Sequence, residues 1–480
     1  MNTAELLTAG EVEQVHRVSL EILEKVGILV RNRRAREVFA AHGCQVDSSS
    51  GLVRLPAKVV EEYRRAFPPR FTFRGRDPRY DRTLPDDRPV VVTGSSAPDI
   101  IDPETGRERR ADSTDIAAIA FLITELPGYD MFSISTLAAD APEGKLSLWR
   151  FYPALKNCLK PVRSNTPCMR ELLDVLDLGA LIAGGEDAYR ERPIINHHYC
   201  PVVSPLTMDV ESTEAVLYLT EKGLPVYGTI VPNGGVTAPM TLPGLLAQGN
   251  AEFLALGVLQ QMVRPRTPLI YAVLSTVTDM RTGGYTPGAV ETGILQAAHS
   301  QMARFYSVPS GGYIGLTNAH CNDAQSGYET GMSVTAALLG GCDLFNMGGL
   351  LGSLMVFDYA KAVIDNEIAL MLKRLAEGMR FSGEALALDV VAETGPGGSF
   401  MESTHTLAHM REAAFFPTVA GRQVRQLWAE QGGEDAAGRA LRQAKKILEG
   451  NNQAVLPGEV DARVRRRFSG LPRGEARWKR

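Results

Sequence analysis

The 480-residue sequence lacks the signals that mark several large protein classes. Its six cysteines, Cys44, Cys158, Cys168, Cys200, Cys321 and Cys342, include no CxxC pair. So few thiols in so long a chain read as reduced side chains in a cytosolic protein, not as a disulfide framework. There is no HExxH, no HxH after the first β-rich run and no carbamylation-type lysine set. These absences remove most of the support for a metal-dependent hydrolase. No glycine-rich stretch continues into a Walker A lysine, and no GxGxxG opens a helix after a strand. With 51 Lys+Arg against 55 Asp+Glu, the net charge of −4 offers no broad basic face for nucleic acid. No apolar run approaches the ~20 residues of a membrane-spanning helix. The first residues, MNTAELLTAGEVEQVH, show neither the basic nor the apolar region of a secretory leader. The expectation is a cytoplasmic protein with no nucleic-acid or membrane partner.

What is present is a chain 44% hydrophobic and 22% charged, long enough to bury a large core. Residues 6–26 carry apolar positions at helical spacing and stop at Gly27, a residue suited to a helix C-terminus. A second helix is predicted over 33–42, a hairpin around 48–51, and a helix opened by Pro56 and running to about 67. Residues 68–110, rich in Pro, Asp and Arg, read as loops and short strands. From about 112 onward, eight β-rich runs alternate with helical segments. The runs are 131–136, 161–166, 194–200, 226–231, 269–275, 311–316, 343–348 and 387–392. Helices are predicted between them, among others over 170–183, 211–222, 242–263 and 290–306. Repeated βα units predict an α/β fold, a (β/α)8 TIM barrel over 111–411, with a doubly wound open sheet as the competing architecture. An N-terminal accessory α+β region over 1–110 and a helical C-terminal extension over 412–480 complete the predicted organisation. Helices are expected there at 418–431 and 434–449, and the basic final residues read as a solvated tail.

In such a barrel the C-terminal strand ends face the active site. Here they hold His197, Tyr227, Tyr271, Tyr313 and Asn346, with one arginine, Arg163, and no lysine. His197 and His198 point to opposite faces of their strand, so one reaches the site while the other packs outward. His405 and His409 have the i, i+4 spacing of a helical metal pair, but no third ligand is recognisable beside them, and no metal site is expected. The stretch 318–323, with His320 and Cys321, reads as a binding loop. The turn at 395–398, including Gly397 and Gly398, either cradles a phosphate or carboxylate through backbone N–H groups or is simply a tight turn.

Several sequence blocks occur in a distinctive order: RGRDP at 74–78, GSSAPDIID at 94–102, PNGGVTAPMTLPGLLAQGNAEFLA at 232–255, DMRTGG at 279–284, DAQSGYE at 323–329 and ETGPGGSFMESTHTLAHMR at 393–411. This order resembles the trimethylamine methyltransferase family, the amine:corrinoid methyltransferases, over essentially the whole chain. The resemblance implies a TIM barrel that moves a methyl group from a methylated amine to the Co(I) of a separate corrinoid protein. The family's founding members carry pyrrolysine. This chain has only standard residues, with the corresponding region near 318–325, and so is similar to the branch that includes glycine betaine methyltransferase. A quaternary, betaine-like amine is the substrate this implies. Its nitrogen already bears a charge, so cleavage of the C–N bond releases a neutral amine with no proton transfer, and the protein's part is positioning and charge complementarity.

The resemblance places Asp323, Gln325 and Glu329 as a catalytic polar wall; the alternative is a helix start whose acids sit at the positive dipole end. Tyr227, Tyr271 and Tyr313 are candidate members of an aromatic cage for the cation, or ordinary packing residues. His197, Asn346, Gly397 and Gly398 are the further substrate-binding candidates. The corrinoid is expected on a partner protein, since the sequence has no DxHxxG element of a cobalamin-binding domain, and no cofactor is expected on this chain. The terminal regions could build interfaces between copies of the chain. The rival functions are trimethylamine methyl transfer proper, a phosphate-binding TIM-barrel lyase or isomerase, and a noncatalytic amine-binding barrel.

Overall fold

The computed structural model describes residues 3–379 and 381–476. Its centre is a curled parallel sheet whose strands are buried on both faces, with polar side chains among the buried ones. In chain order these strands are β1 (Val90–Val92), β2 (Phe132–Ser133), β3 (Val162–Ser164), β4 (Ile195–Tyr199), β5 (Val226–Ile230), β6 (Ala272–Val273), β7 (Gly311–Tyr313) and β8 (Leu344–Asn346). A helix follows each one: α1 (Ser113–Glu125), α2 (Leu146–Asn157), α3 (Met169–Ala183), α4 (Glu211–Lys222), α5 (Leu242–Val263), α6 (Val290–Phe305), α7 (Ala324–Leu339) and α8 (Tyr359–Glu377). Strands β2 to β6 form a five-stranded parallel sheet in sequence order; β7, β8 and β1 form a second, three-stranded one. Parallel bridges Val92↔Met131 and Tyr271↔Ser310 link the two sheets.

Seven predicted β-runs contain or meet observed strands, and the eighth does not. Residues 387–392 are helical, within Leu388–Thr394, and exposed. The place beside β8 belongs instead to β1, a run of three valines inside the stretch read as loops, paired Leu344↔Val90 through Asn346↔Val92. The parallel sheet therefore draws on residues before 111. Three consecutive β-branched residues fit a doubly buried strand better than ALDVVA, whose acid and alanines favour a helix.

Local signals set the helix starts. Asp112 and Asp115 make a reciprocal capping box at α1, and Asp358 caps α8 by accepting from the Lys361 amide at 2.7 Å. The N-terminal helices Ala9–Glu21 and Ala57–Arg64 lie over α5, Ala436–Leu448 crosses α1 and α8, and Gly458–Arg467 rests on α3. The predicted helix over 418–431 shrinks to Arg425–Glu430. The basic C-terminal stretch is not a solvated tail. Lys156 donates to the Arg473 carbonyl at 3.1 Å, Arg467 pairs with Asp177 at 2.7 Å, and Val464 is buried; residues 477–480 lie outside the described residues. Among the described residues one helix, α5, is long and apolar enough by length and composition to cross a membrane, contrary to the expectation of no such run. It is buried beneath the N-terminal helices.

The antiparallel hairpin Phe71–Phe73/Arg82–Leu84 plugs the N-terminal end of the sheet. Its Phe71, Phe73 and Leu84 join Val90, Val92, Met131 and Tyr227 in one inner cluster, each large side chain contributing roughly 1.5–3 kcal/mol by burial. Asn196 ties the hairpin to β4 through both backbone groups of Arg74, at 3.2 and 3.1 Å. The hairpin thus packs against the inner side of the sheet. After α8 the chain makes a long excursion over 379–417. It is then caught again by Glu367, whose carboxylate accepts from the amides of Thr418, Val419 and Ala420 at 2.5, 2.6 and 2.8 Å.

Candidate active site

Strand alternation sorts the candidate residues into two environments. On β5, Tyr227 joins the inner cluster while Val226 and Ile230 pack outward against helices. The same alternation turns Arg163, Asn196, His198, Thr229, Tyr313 and Asn346 inward, with registers Arg163↔Asn196, His198↔Tyr227 and Tyr313↔Asn346. These side chains build a cup above the plugged floor.

Arg163 sits at its centre, fully buried, its guanidinium carbon 5.8 Å from the ring centroids of both Tyr227 and Tyr313. One guanidinium nitrogen meets the Tyr227 hydroxyl, while Nε and Nη2 have no partner. His198 lies 5.6 Å from the Tyr227 ring, and its Nε2 is 3.3 Å from the Tyr313 hydroxyl; its Nδ1 is unpartnered. Ser95 holds the same hydroxyl at 2.5 Å. Gly94 lets that segment turn inward, because a Cβ there would meet Leu350 at 2.4 Å. Behind this ring a second buried arginine, Arg150, donates to Ser96 Oγ at 2.9 Å. The buried oxygens Thr229 Oγ1, Asn346 Oδ1 and Ser133 Oγ also lack partners. Buried polar atoms are ordinarily satisfied, so this concentration on one concave surface marks a place for a ligand.

The electrostatics follow from burial. Burial, then the charges of Arg163 and Arg150, hold the His198 imidazole well below its ordinary pKa, so it is neutral. Burial lowers the Arg150 pKa to about 10 and lowers that of Arg163 as well. Neither arginine forms an ion pair with any described residue. Burial raises the Tyr313 hydroxyl, with Arg163 opposing the rise. Cys200, directly after β4, is exposed, yet the surrounding protein lifts its thiol pKa to about 11, Asp209 adding to the rise and Arg163 resisting it. That thiol lies within the field of the buried arginine. Tyr285, on the hairpin Thr276–Asp279/Gly284–Tyr285, is raised by burial and then by Tyr313 and Cys200.

The three residues expected as a catalytic wall part company. Glu329 accepts from Thr317 Oγ1 at 2.6 Å, the Asn318 amide at 2.8 Å and Gln325 Nε2 at 2.8 Å. Asn318 in turn donates to the Tyr285 carbonyl at 2.8 Å, so Glu329 and Gln325 brace the loop at the rim. Asp323 is exposed and caps α7, accepting from the Ser326 amide at 3.2 Å. It is not part of that cluster.

Other candidates move. His197, expected in the site, faces outward and stacks on Tyr199 at 6.4 Å, while His198 takes the inner position. Burial lowers the His197 pKa to about 3, and neither ring nitrogen has a partner; nothing in the structure explains this. Tyr271 also faces outward, 4.3 Å from the Phe253 ring, its hydroxyl bonded to Asn250 at 3.0 Å and His299 at 3.3 Å. Gly397 and Gly398 lie on the exposed excursion, not at a strand end. His405 and His409 stand 4.5 Å apart there. Among the described residues no group of three or more His, Cys, Asp or Glu is placed to hold a metal ion.

Sequence reading missed Ser95, Arg150, Cys200 and Tyr285, and gave Arg163 no role. The available signal was Arg163 itself, a charge inside a predicted strand.

Against known proteins, residues 1–469 match the trimethylamine methyltransferase (MTTB) family. The chain is 30% identical to trimethylamine methyltransferase MttB of Desulfitobacterium hafniense strain DSM 10664 / DCB-2, across 95% of this chain and 91% of that protein. It is 31% identical to glycine betaine methyltransferase of Desulfitobacterium hafniense strain Y51, across 96% and 95%. Trimethylamine methyltransferase MttB of Methanosarcina thermophila is 28% identical over 95% of each chain. The chain belongs to the trimethylamine methyltransferase family and is a methyltransferase.

Proposed function

We propose that this chain transfers a methyl group from a quaternary, betaine-like amine to the Co(I) of a separate corrinoid protein, and that its two parallel sheets are parts of one closed (β/α)8 barrel. Eight strand–helix alternations and the parallel bridges at both seams support the closed barrel. In this reading catalysis belongs to residues 111–411 together with β1, the regions 1–110 and 412–480 pack around them, and the protein is cytoplasmic.

The observation that carries the substrate class is Arg163. A buried guanidinium with no counter-ion and two unpartnered nitrogens costs several kcal/mol unless a ligand supplies the anion. Trimethylamine has no anionic group; a betaine has a carboxylate, which suits a planar two-pronged donor. The aromatic-cage expectation changes accordingly. Arg163 covers a face of Tyr227 and of Tyr313, and like charges repel, so the ammonium head lies toward the mouth, by Tyr313 and Tyr285, with the carboxylate inward. Such an orientation presents a methyl group to an acceptor arriving from outside. The electron pair of the broken C–N bond stays on nitrogen and the amine leaves neutral, so no general acid is required. Neutral His198 and the Tyr313 hydroxyl orient the substrate, and the Glu329–Asn318–Tyr285 chain holds the rim in place.

Two buried arginines equally suit a phosphate-bearing substrate, which keeps the lyase or isomerase reading as the second one; the glycine turn it would use lies away from them. The test is methylation of a reduced corrinoid protein across a panel of carboxylated quaternary amines, choline-like amines and trimethylamine. Methyl transfer from the carboxylated members is expected, with no cobalamin absorbance in the purified chain. Transfer to water alone, or from S-adenosylmethionine, contradicts the proposal, as does calorimetric binding of betaines without turnover beside an active corrinoid partner.

A further inference from the structure

We infer that Leu354 is a specificity-determining residue: it completes an apolar collar that seats the methyl groups of a quaternary ammonium and turns away amines bearing an N–H. The inference rests on the betaine reading above and names what enforces its quaternary part.

Strand alternation lays the collar down. On β5 the inward positions Tyr227 and Thr229 are followed by Val231, one residue past the strand; on β6 the inward Ala272 is followed by Leu274. Val231 and Leu274 pack with Tyr313, Leu316 and Leu354 in a cluster of their own, separate from the inner cluster around Tyr227. Of these five side chains only Tyr313 carries a hydrogen-bonding atom. Its hydroxyl is already engaged by Ser95 at 2.5 Å and by His198 Nε2 at 3.3 Å. The rim carboxylate, Glu329, is taken up by Thr317, Asn318 and Gln325.

Leu354 reaches the collar by an uncommon backbone route. It stands at the tip of the hairpin Leu350–Leu351/Val356–Phe357, which follows β8. Gly352, Ser353 and Leu354 have φ of 57°, 59° and 78°, three left-handed residues in succession. Residues with a Cβ rarely adopt that region, and a leucine there must be held by its surroundings. The Gly352 amide donates to the Ala319 carbonyl at 2.8 Å and the Ser353 amide to the Thr317 carbonyl at 3.0 Å. Asn318 Nδ2 donates to Ser353 Oγ at 2.7 Å, and Glu329 fixes the same Asn318 through its amide. The brace at the rim thus delivers Leu354 to the collar. Leu354 packs against the main core as well, so its position is set from two directions. Backbone strain of this kind gathers where the placement of one side chain matters to a ligand.

A trimethylammonium head presents only methyl groups, which an apolar wall satisfies. A dimethylammonium head presents an N–H whose bond to water is lost in the collar, and a buried charged donor without an acceptor binds poorly. The demethylated product is that second amine once it has taken a proton from water. The collar that admits the substrate therefore also sheds the product.

Calorimetric titration of the full chain with glycine betaine and N,N-dimethylglycine, which differ by one methyl group, tests this. The unaltered chain is expected to bind the betaine at least about 30-fold more tightly. Leu354→Asn places an amide acceptor in the collar on a residue type that tolerates the left-handed backbone. It should narrow the ratio by about 10-fold, chiefly by tightening dimethylglycine. Val231→Thr adds a hydroxyl away from the hairpin and should narrow the ratio in the same direction, so the outcome does not hang on the folding of one variant. Thermal melting of both should stay close to that of the unaltered chain. Equal binding of the two amines by the unaltered chain overturns the inference and leaves the betaine reading standing, and so does a ratio that the folded variants preserve. No binding of either amine overturns the betaine reading and the inference with it.

Discussion

The two faces of the parallel sheet carry the same residue types in opposite circumstances. Outside, Tyr271 satisfies its hydroxyl on Asn250 and His299 and stacks among Phe253 and Tyr306; nothing in that network awaits a ligand. Inside, Tyr313 and His198 surround an arginine with free N–H groups, and neighbouring oxygens are likewise unsatisfied. Residue identity does not separate structural from functional side chains here; completeness of hydrogen bonding does. His197 is the outer-face exception, unpartnered on both nitrogens.

Substitutions on the two faces should therefore diverge. Arg163→Met is expected to cost about 10²–10³-fold in kcat/KM for a carboxylated quaternary amine, the price of losing one partner of a buried charge pair. The kinetics of the purified variant, whose melting point should hold or rise, check this; an equal loss with an uncharged amine would place Arg163 in the structure alone. Acid should act next. The folded pKa values of the outer-face His197 and of His299 lie near 3, below the ordinary 6.5, so the unfolded chain binds more protons between those values. Stability is therefore full above about pH 6.5 and falls toward pH 3, by roughly 1.4 kcal/mol per pH unit for each buried histidine. Denaturant titrations across this range should lose that slope in part in His299→Leu. The smallest effect belongs to Tyr271→Phe. Loss of its two hydrogen bonds should lower stability by about 1–2 kcal/mol and leave kcat/KM within about twofold. A large kinetic defect there would break the contrast between the faces.

How far the sequence reveals this arrangement depends on the element. Helices α4 and α5 fall within the predicted bounds 211–222 and 242–263, because long periodic segments with clear stops state their own extent. Strand β1 escapes notice since Val90–Val92 is short and sits among Pro, Asp and Arg, where composition signals loops. Residues 387–392 carry the reverse error: an apolar hexamer reads alike as strand or helix until its neighbours are known. Within the site, the alternation of His197 and His198 was legible but its phase was not, because side-chain period says nothing about which face is concave. Arg150 and Ser95 come from a helix and a loop, and only tertiary packing brings them together with Tyr313.

The central claim, that a buried unpaired arginine selects a carboxylate-bearing cation, is tested most directly by calorimetric titration of the purified chain, independent of any acceptor protein. The account predicts that glycine betaine binds, that trimethylamine binds at least about 100-fold more weakly, and that Arg163→Met removes the difference. Equal binding of both amines to the unaltered chain, or undiminished betaine binding by the variant, would contradict it.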